Sequence, residues 1–169
     1  MKKLTLLFTM LFALTIWVGG AQAKNHQTMG TSSKVLVAYF SATGTTAGVA
    51  EKLASATGGE LYAIVPEKAY TSADLDWRND KSRSSVEMKD PKVRPALKGA
   101  VKDLDGYDVV FIGYPIWWDA APRVINTFIE NHDLKGKRLI PFATSGSSGI
   151  EESVKALRKS YPELKWSDG

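Results

Sequence analysis

Val35-Leu36-Val37-Ala38-Tyr39-Phe40-Ser41-Ala42-Thr43-Gly44-Thr45-Thr46 passes abruptly from an unbroken apolar run into a loop made of hydroxyls and one glycine. A short continuous run of strand-forming residues is the pattern of a strand buried on both faces of a parallel sheet. Beyond the loop, Val49, Ala50, Leu53 and Ala54 recur at helical spacing, and Gly58-Gly59 supplies a stop. The unit is therefore strand, loop, helix. A glycine and hydroxyls directly before a helix let free backbone N–H groups, side-chain O–H donors and the helix dipole converge on a phosphate, with no lysine required. Gly44 is not followed by the Gly-Lys-Ser/Thr of a nucleoside-triphosphate loop, and Gly-x-Gly-x-x-Gly is absent. A terminal phosphate monoester suits the loop better. The competing reading of the loop by itself is that Ser41 and Thr45 merely cap the helix.

Outward from this unit the alternation continues. Residues 61–65 read as a second strand, ended by Pro66, and residues 67–95 as a long polar surface excursion. Residues 96–104 have helical spacing through Leu97, Ala100, Val101 and Leu104, and Asp105-Gly106 turns the chain. Residues 108–114 form the next buried strand, followed by Pro115-Ile116-Trp117-Trp118. Pro122 opens a helix whose Val124, Ile125, Phe128 and Ile129 share a face. Residues 138–144 read as a fourth strand despite Pro141, residues 151–160 as a helix, and Leu164-Lys165-Trp166 as the start of a fifth strand. Strands alternating with helices define an α/β chain with a parallel sheet and helices on both faces.

Composition bounds the rest. With 169 residues, 44% hydrophobic and 24% charged, the chain suits one soluble domain. Residues 1–23 stand apart: Lys2-Lys3, an apolar run over 4–18, then an Ala21-Gln22-Ala23 ending read as a signal-peptide cleavage site. That run is shorter than the roughly 20 residues needed to span a bilayer. The expectation is export to a periplasmic or extracellular location, with no stable membrane anchor after cleavage and a polar leader at 24–33. Cysteine is absent, so disulfides and thiol chemistry are excluded and any redox role needs a borrowed cofactor. Without Lys2 and Lys3, 20 basic residues face 18 acidic ones, interleaved along the chain, which argues against nucleic acid. His26 falls in the leader and His132 in what reads as an exposed helix end; no metal-ligand spacing is visible.

Ligands in such sheets bind beyond the carboxyl ends of the strands. Three loops end there: residues 41–46, 115–118 and 144–149. Trp117 and Trp118 offer a stacking surface for a planar ring, one of the two being free to serve the core instead. Thr144, Ser145, Gly146 and Ser147 bring backbone N–H groups toward polar ring edges.

Taken together, residues 39–46, the run 108–118 and Pro141-Phe142-Ala143-Thr144-Ser145-Gly146 resemble the flavodoxin family, in its subgroup with Ser-x-Thr-Gly-x-Thr and Tyr-Pro-Ile-Trp-Trp. The resemblance covers residues 34–169. It implies a doubly wound five-stranded parallel sheet of order 2-1-3-4-5 that binds FMN. By that resemblance Ser41, Thr43, Thr45 and Thr46 hold the phosphate, and Ala42 and Gly44 of the same loop also belong to the cofactor site. Pro115, Ile116, Trp117 and Trp118 flank the isoalloxazine ring, Ser145, Gly146 and Ser147 meet its pyrimidine side, and Thr144 beside them also belongs to the cofactor site. The stretch from Tyr70 to Trp77 is also similar to the subgroup and becomes a candidate rim. Two departures stand out: Asp119 replaces a glycine usual after the paired tryptophans, and the sequence ends at Gly169 where the family continues into a final helix, so a C-terminally incomplete domain is expected. The function implied is electron transfer to a redox partner protein or a small quinone-like acceptor. The alternatives are an FMN-dependent NAD(P)H:quinone reductase and a non-redox binding module on the same fold.

Overall fold

The computed structural model describes residues 33–167; the expected signal peptide and most of the leader lie outside them. Strands β1 (Val35–Tyr39), β2 (Glu60–Ala63), β3 (Val109–Pro115), β4 (Arg138–Thr144) and β5 (Lys165–Trp166) form one sheet in the order β2-β1-β3-β4-β5. All four pairings are parallel. Side chains alternate across it. Leu36, Ala38, Val110, Ile112 and Leu139 face one side, where Val124, Ile125 and Phe128 of α3 (Arg123–Glu130) and Leu157 of α4 (Glu151–Ser160) complete the main core. Val37 faces the other, packed by Ala50 and Ala54 of α1 (Thr45–Thr57), with Phe111 and Phe142 half-buried beside them.

The fold is the expected one, with instructive local differences. Pro141 sits inside β4 without breaking it. Leu139 accepts a hydrogen bond from Ser167 on the β5 side, and Pro141 faces the same side, where β5 pairs only with Arg138 and Leu139. Its missing N–H therefore has no strand to serve. Gly113 lies opposite Phe142, whose ring would be 2.1 Å from a Cβ placed there, so the ring occupies the space a side chain would need. Val49, expected on the buried face of α1, is instead 40% exposed; Thr46, Ala50 and Ala54 make that face.

Two larger expectations are corrected. Residues 96–104 do not form a helix. Glu67 and Lys98 donate backbone hydrogen bonds to Ala96 and Val65, and Pro66 pairs with Leu97 in an antiparallel bridge. Pro95 and Gly99, the latter at φ 102, bracket a segment held extended by these non-local bonds, and only a short 3-10 turn remains at Leu104–Gly106. Nor is the segment 67–95 a simple solvated loop. It contains α2 (Arg83–Lys89), with Ser82, Ser84, Ser85 and Glu87 buried. Among the described residues no helix is long and apolar enough to cross a membrane.

Candidate functional site

The three loops after β1, β3 and β4 meet at the carboxyl edge of the sheet. In the first, Gly44 takes φ 91 and forms the N-cap of α1. Its own N–H donates to Ser41 Oγ at 3.1 Å, which curls the loop. No side chain caps α1 and no acidic residue lies in its first turn. The capping role expected as the alternative for Ser41 and Thr45 is therefore not realised. By helix geometry the first-turn N–H groups lack intrahelical partners and carry the positive end of the helix dipole. Thr43 and Thr45 hydroxyls are 3.4 Å apart on this exposed loop. Thr46 differs: it is buried, and its hydroxyl bonds Thr144 Oγ1 at 2.8 Å, tying the start of α1 to the end of β4.

The second loop divides labour between its tryptophans. Trp117 packs edge-on against Phe40 (centroids 5.7 Å, 87°) and Tyr70 (5.3 Å, 81°) and so belongs to the wall. Trp118 is 49% exposed and free to present a ring face. The chain reverses there: Trp117 and Ala120 exchange backbone hydrogen bonds at 3.0 Å each, and Trp118 and Asp119 between them take φ 47 and 56. Asp119 thus adopts the left-handed conformation that a glycine would favour.

A cleft of about 470 Å³ runs between these loops. It is lined by Ala42, Thr43 and Thr46 from the first loop and the start of α1, by Pro115, Ile116, Trp117 and Trp118 from the second, and by Leu75, Trp77 and Ser84 from the segment after β2. The rim expected from residues 70–77 is thus part of the wall. Of the expected site residues, Ser41, Gly44, Thr45, Thr144, Ser145, Gly146 and Ser147 do not line the cleft; Ser41 and Gly44 line a neighbouring pocket of about 290 Å³, and the third loop joins the cleft through a hydrogen bond between Thr144 and Thr46 and one from Ser148 to Asp119. Ser145 Oγ accepts from the N–H groups of Ser147 (3.2 Å) and Ser148 (2.9 Å), giving that loop its shape.

The rim is held by a buried polar network that the sequence did not disclose. Tyr70 donates its hydroxyl hydrogen bond to Glu87, Arg83 Nε bonds the same carboxylate at 2.6 Å, and the Arg83 guanidinium lies 4.0 Å above the Tyr70 ring. Burial, then the Glu87 carboxylate, holds the Tyr70 hydroxyl far above the ordinary phenol range. Arg123 at the start of α3 donates to the Glu87 and Met88 carbonyls at the end of α2. The one local signal was Ser82, whose side chain accepts from Ser85 N as the α2 N-cap. Serine is too common before polar segments for that to have located the helix. His132, expected to be solvated, is half-buried and structural. Its Nε2 accepts from Val101 N at 2.9 Å, which leaves Nδ1 to donate to the Phe128 carbonyl at 2.7 Å.

This chain belongs to the flavodoxin family, whose profile matches residues 34–169. A candidate flavoprotein from Bacteroides eggerthii is 66% identical, with a TM-score of 0.81 over 81% of this chain and 86% of that one. Another, from Bacteroides uniformis, is 57% identical, with a TM-score of 0.80 over 81% and 88%. A flavoprotein from Lactobacillus acidophilus, solved in complex with FMN, shares the fold at 22% identity, with a TM-score of 0.69 over 80% and 91%. No curated protein matches the chain.

Proposed function

We propose that this protein binds FMN non-covalently and transfers electrons through it. The observation that carries the reading is that one cleft joins the uncapped start of α1 to the exposed face of Trp118. A flavin mononucleotide is a phosphate monoester at one end and a planar ring at the other, and the cleft's lining offers hydroxyls from the first loop and indole rings from the second. Thr43, which lines the cleft, and Gly44 and Thr45 beside it on the same loop would bind the phosphate through backbone N–H and hydroxyl donors. Trp118 would stack on the ring, and Trp117, braced by Phe40 and Tyr70, would back the wall and exclude water. The bound cofactor supplies one- or two-electron chemistry; the protein tunes it through stacking, burial and hydrogen bonds. The electron acceptor is a partner protein or a small quinone-like molecule. In the same reading, residues 1–23 direct export and are removed, which N-terminal sequencing of the mature protein tests.

The phosphate assignment has its own test. Thr43→Ala combined with Thr45→Ala should weaken FMN by about tenfold or more, the scale of one or two lost hydrogen bonds to a charged group, and leave riboflavin nearly unaffected. Equal weakening of both ligands would remove the phosphate from this loop.

A second reading, an NAD(P)H:quinone reductase, is favoured by Trp77, which is 63% exposed and lines the same cleft as Trp118. The two could bracket a planar substrate. Steady NAD(P)H consumption with added quinone would select this reading, and reduction only by a partner protein would select the carrier.

A further inference from the structure

The turn at Trp118 and Asp119 is held in a conformation its residues do not favour. Consecutive positive φ values at the two central positions define a type I′ turn, which asparagine and glycine fill most readily. Tryptophan and aspartate there meet the steric opposition between Cβ and backbone that glycine escapes. A conformation of this kind persists where its surroundings over-determine it. Here a restraint is visible at the tip. Ser148 Oγ donates to Asp119 Oδ1 at 2.6 Å, across from the loop after β4. Ser148 is itself fixed, because its N–H donates to Ser145 Oγ at 2.9 Å. At the root the same two loops are joined by Ile116 N to the Thr144 carbonyl at 2.9 Å.

The geometry points to Asp119 and Ser148 as positioning residues: their hydrogen bond latches the Trp118 turn to residues 145–149 and so keeps the exposed Trp118 ring standing as a wall of the cleft. The inference rests on the FMN reading for its functional consequence, which is slow release of the bound flavin, but the latch itself is a property of the free protein. Asp119 is the residue by which this chain departs from the glycine expected in its subgroup. The exchange gives up some backbone freedom and gains a tether between two loops.

The test separates tether from scaffold. Ser148→Ala and Asp119→Gly should each speed FMN dissociation by about tenfold, the scale of one hydrogen bond to a charged acceptor. The double variant should be no faster than either alone, and Ser148→Thr should restore slow release. Asp119→Gly should meanwhile leave the urea midpoint of the free protein unchanged or higher, since glycine relieves the positive φ. A purely structural role would instead lower that midpoint and the affinity together. Unchanged dissociation in both single variants, or multiplicative effects in the double, would overturn the latch. Amide exchange at Ala120 in the cofactor-free chain gives a readout independent of FMN: Ser148→Ala should accelerate it, and unaltered exchange would overturn the proposal even if FMN binds. Accelerated exchange in a chain that binds no FMN would support the latch and remove the FMN reading instead.

Discussion

At the scale of single residues, two glycines show how the site is set by what a side chain would prevent. Gly44 turns the chain into α1 at φ 91, and nothing lies within 4 Å of a Cβ placed there. The cost of Gly44→Ala is therefore backbone strain alone, about 1–2 kcal/mol in urea denaturation. Gly44→Asn should cost less, since asparagine enters the left-handed region more readily. Gly113 is the opposite case, its space being filled by the Phe142 ring. Gly113→Ala should cost about 1–3 kcal/mol through overpacking. In a Phe142→Ala background that penalty should largely vanish, a coupling a double-mutant cycle reads directly. A full penalty in both backgrounds would mean that the crowding is not with Phe142.

At the scale of elements, the clearest prediction concerns α2. Arg123 holds the carbonyls that end this helix, and α2 carries the Glu87 that anchors Tyr70. Arg123→Ala should speed hydrogen exchange over residues 70–90 and weaken FMN while leaving β1 and β3 protected; uniform destabilisation would show that α2 is no separate unit. The elements legible in the sequence were those marked by a run of strand formers or by a helical segment between turn residues: β1 to β5, α1, α3 and α4. Residues 96–104 misled because helical spacing is a local signal, whereas Val65, Pro66 and Glu67 pair with that segment from 29 to 33 residues away in the chain. α2 was invisible for the reverse reason. Its buried face is made of serines and a glutamate, satisfied by Tyr70 and Arg83, and carries no apolar periodicity to read. The first two loops of the site were legible from their residue types. That Thr46 is committed to Thr144, and that the third loop reaches the cleft only through tethers, depends on distances that no sequence pattern records.

At the scale of the whole molecule, ionisable groups far from the cleft shape the pH range of stability. Hydrogen bonding to Glu60 and then burial push the Tyr107 hydroxyl up to about 12, and burial followed by Glu130 pushes Tyr161 up to about 12. A raised phenol binds its proton more tightly when folded, so this stability is complete below the ordinary value of 10.0 and is lost as pH climbs from there toward 12. Glu130 shifts the other way, held below its ordinary 4.5 chiefly by Arg94. Its contribution is present above 4.5 and fades as pH falls through the lowered value. Urea midpoints should therefore form a plateau that declines at both ends. Tyr161→Phe should flatten the alkaline decline, and an unchanged slope would place the titration elsewhere.

The central claim is that one cleft takes both ends of a flavin mononucleotide. The most direct measurement is titration of the purified, folded chain with FMN and with riboflavin, followed by quenching of flavin fluorescence. FMN should bind saturably, with riboflavin bound at least about tenfold more weakly because it lacks the phosphate that the α1 terminus receives. A folded chain that quenches neither flavin, or that binds both equally, would contradict the claim.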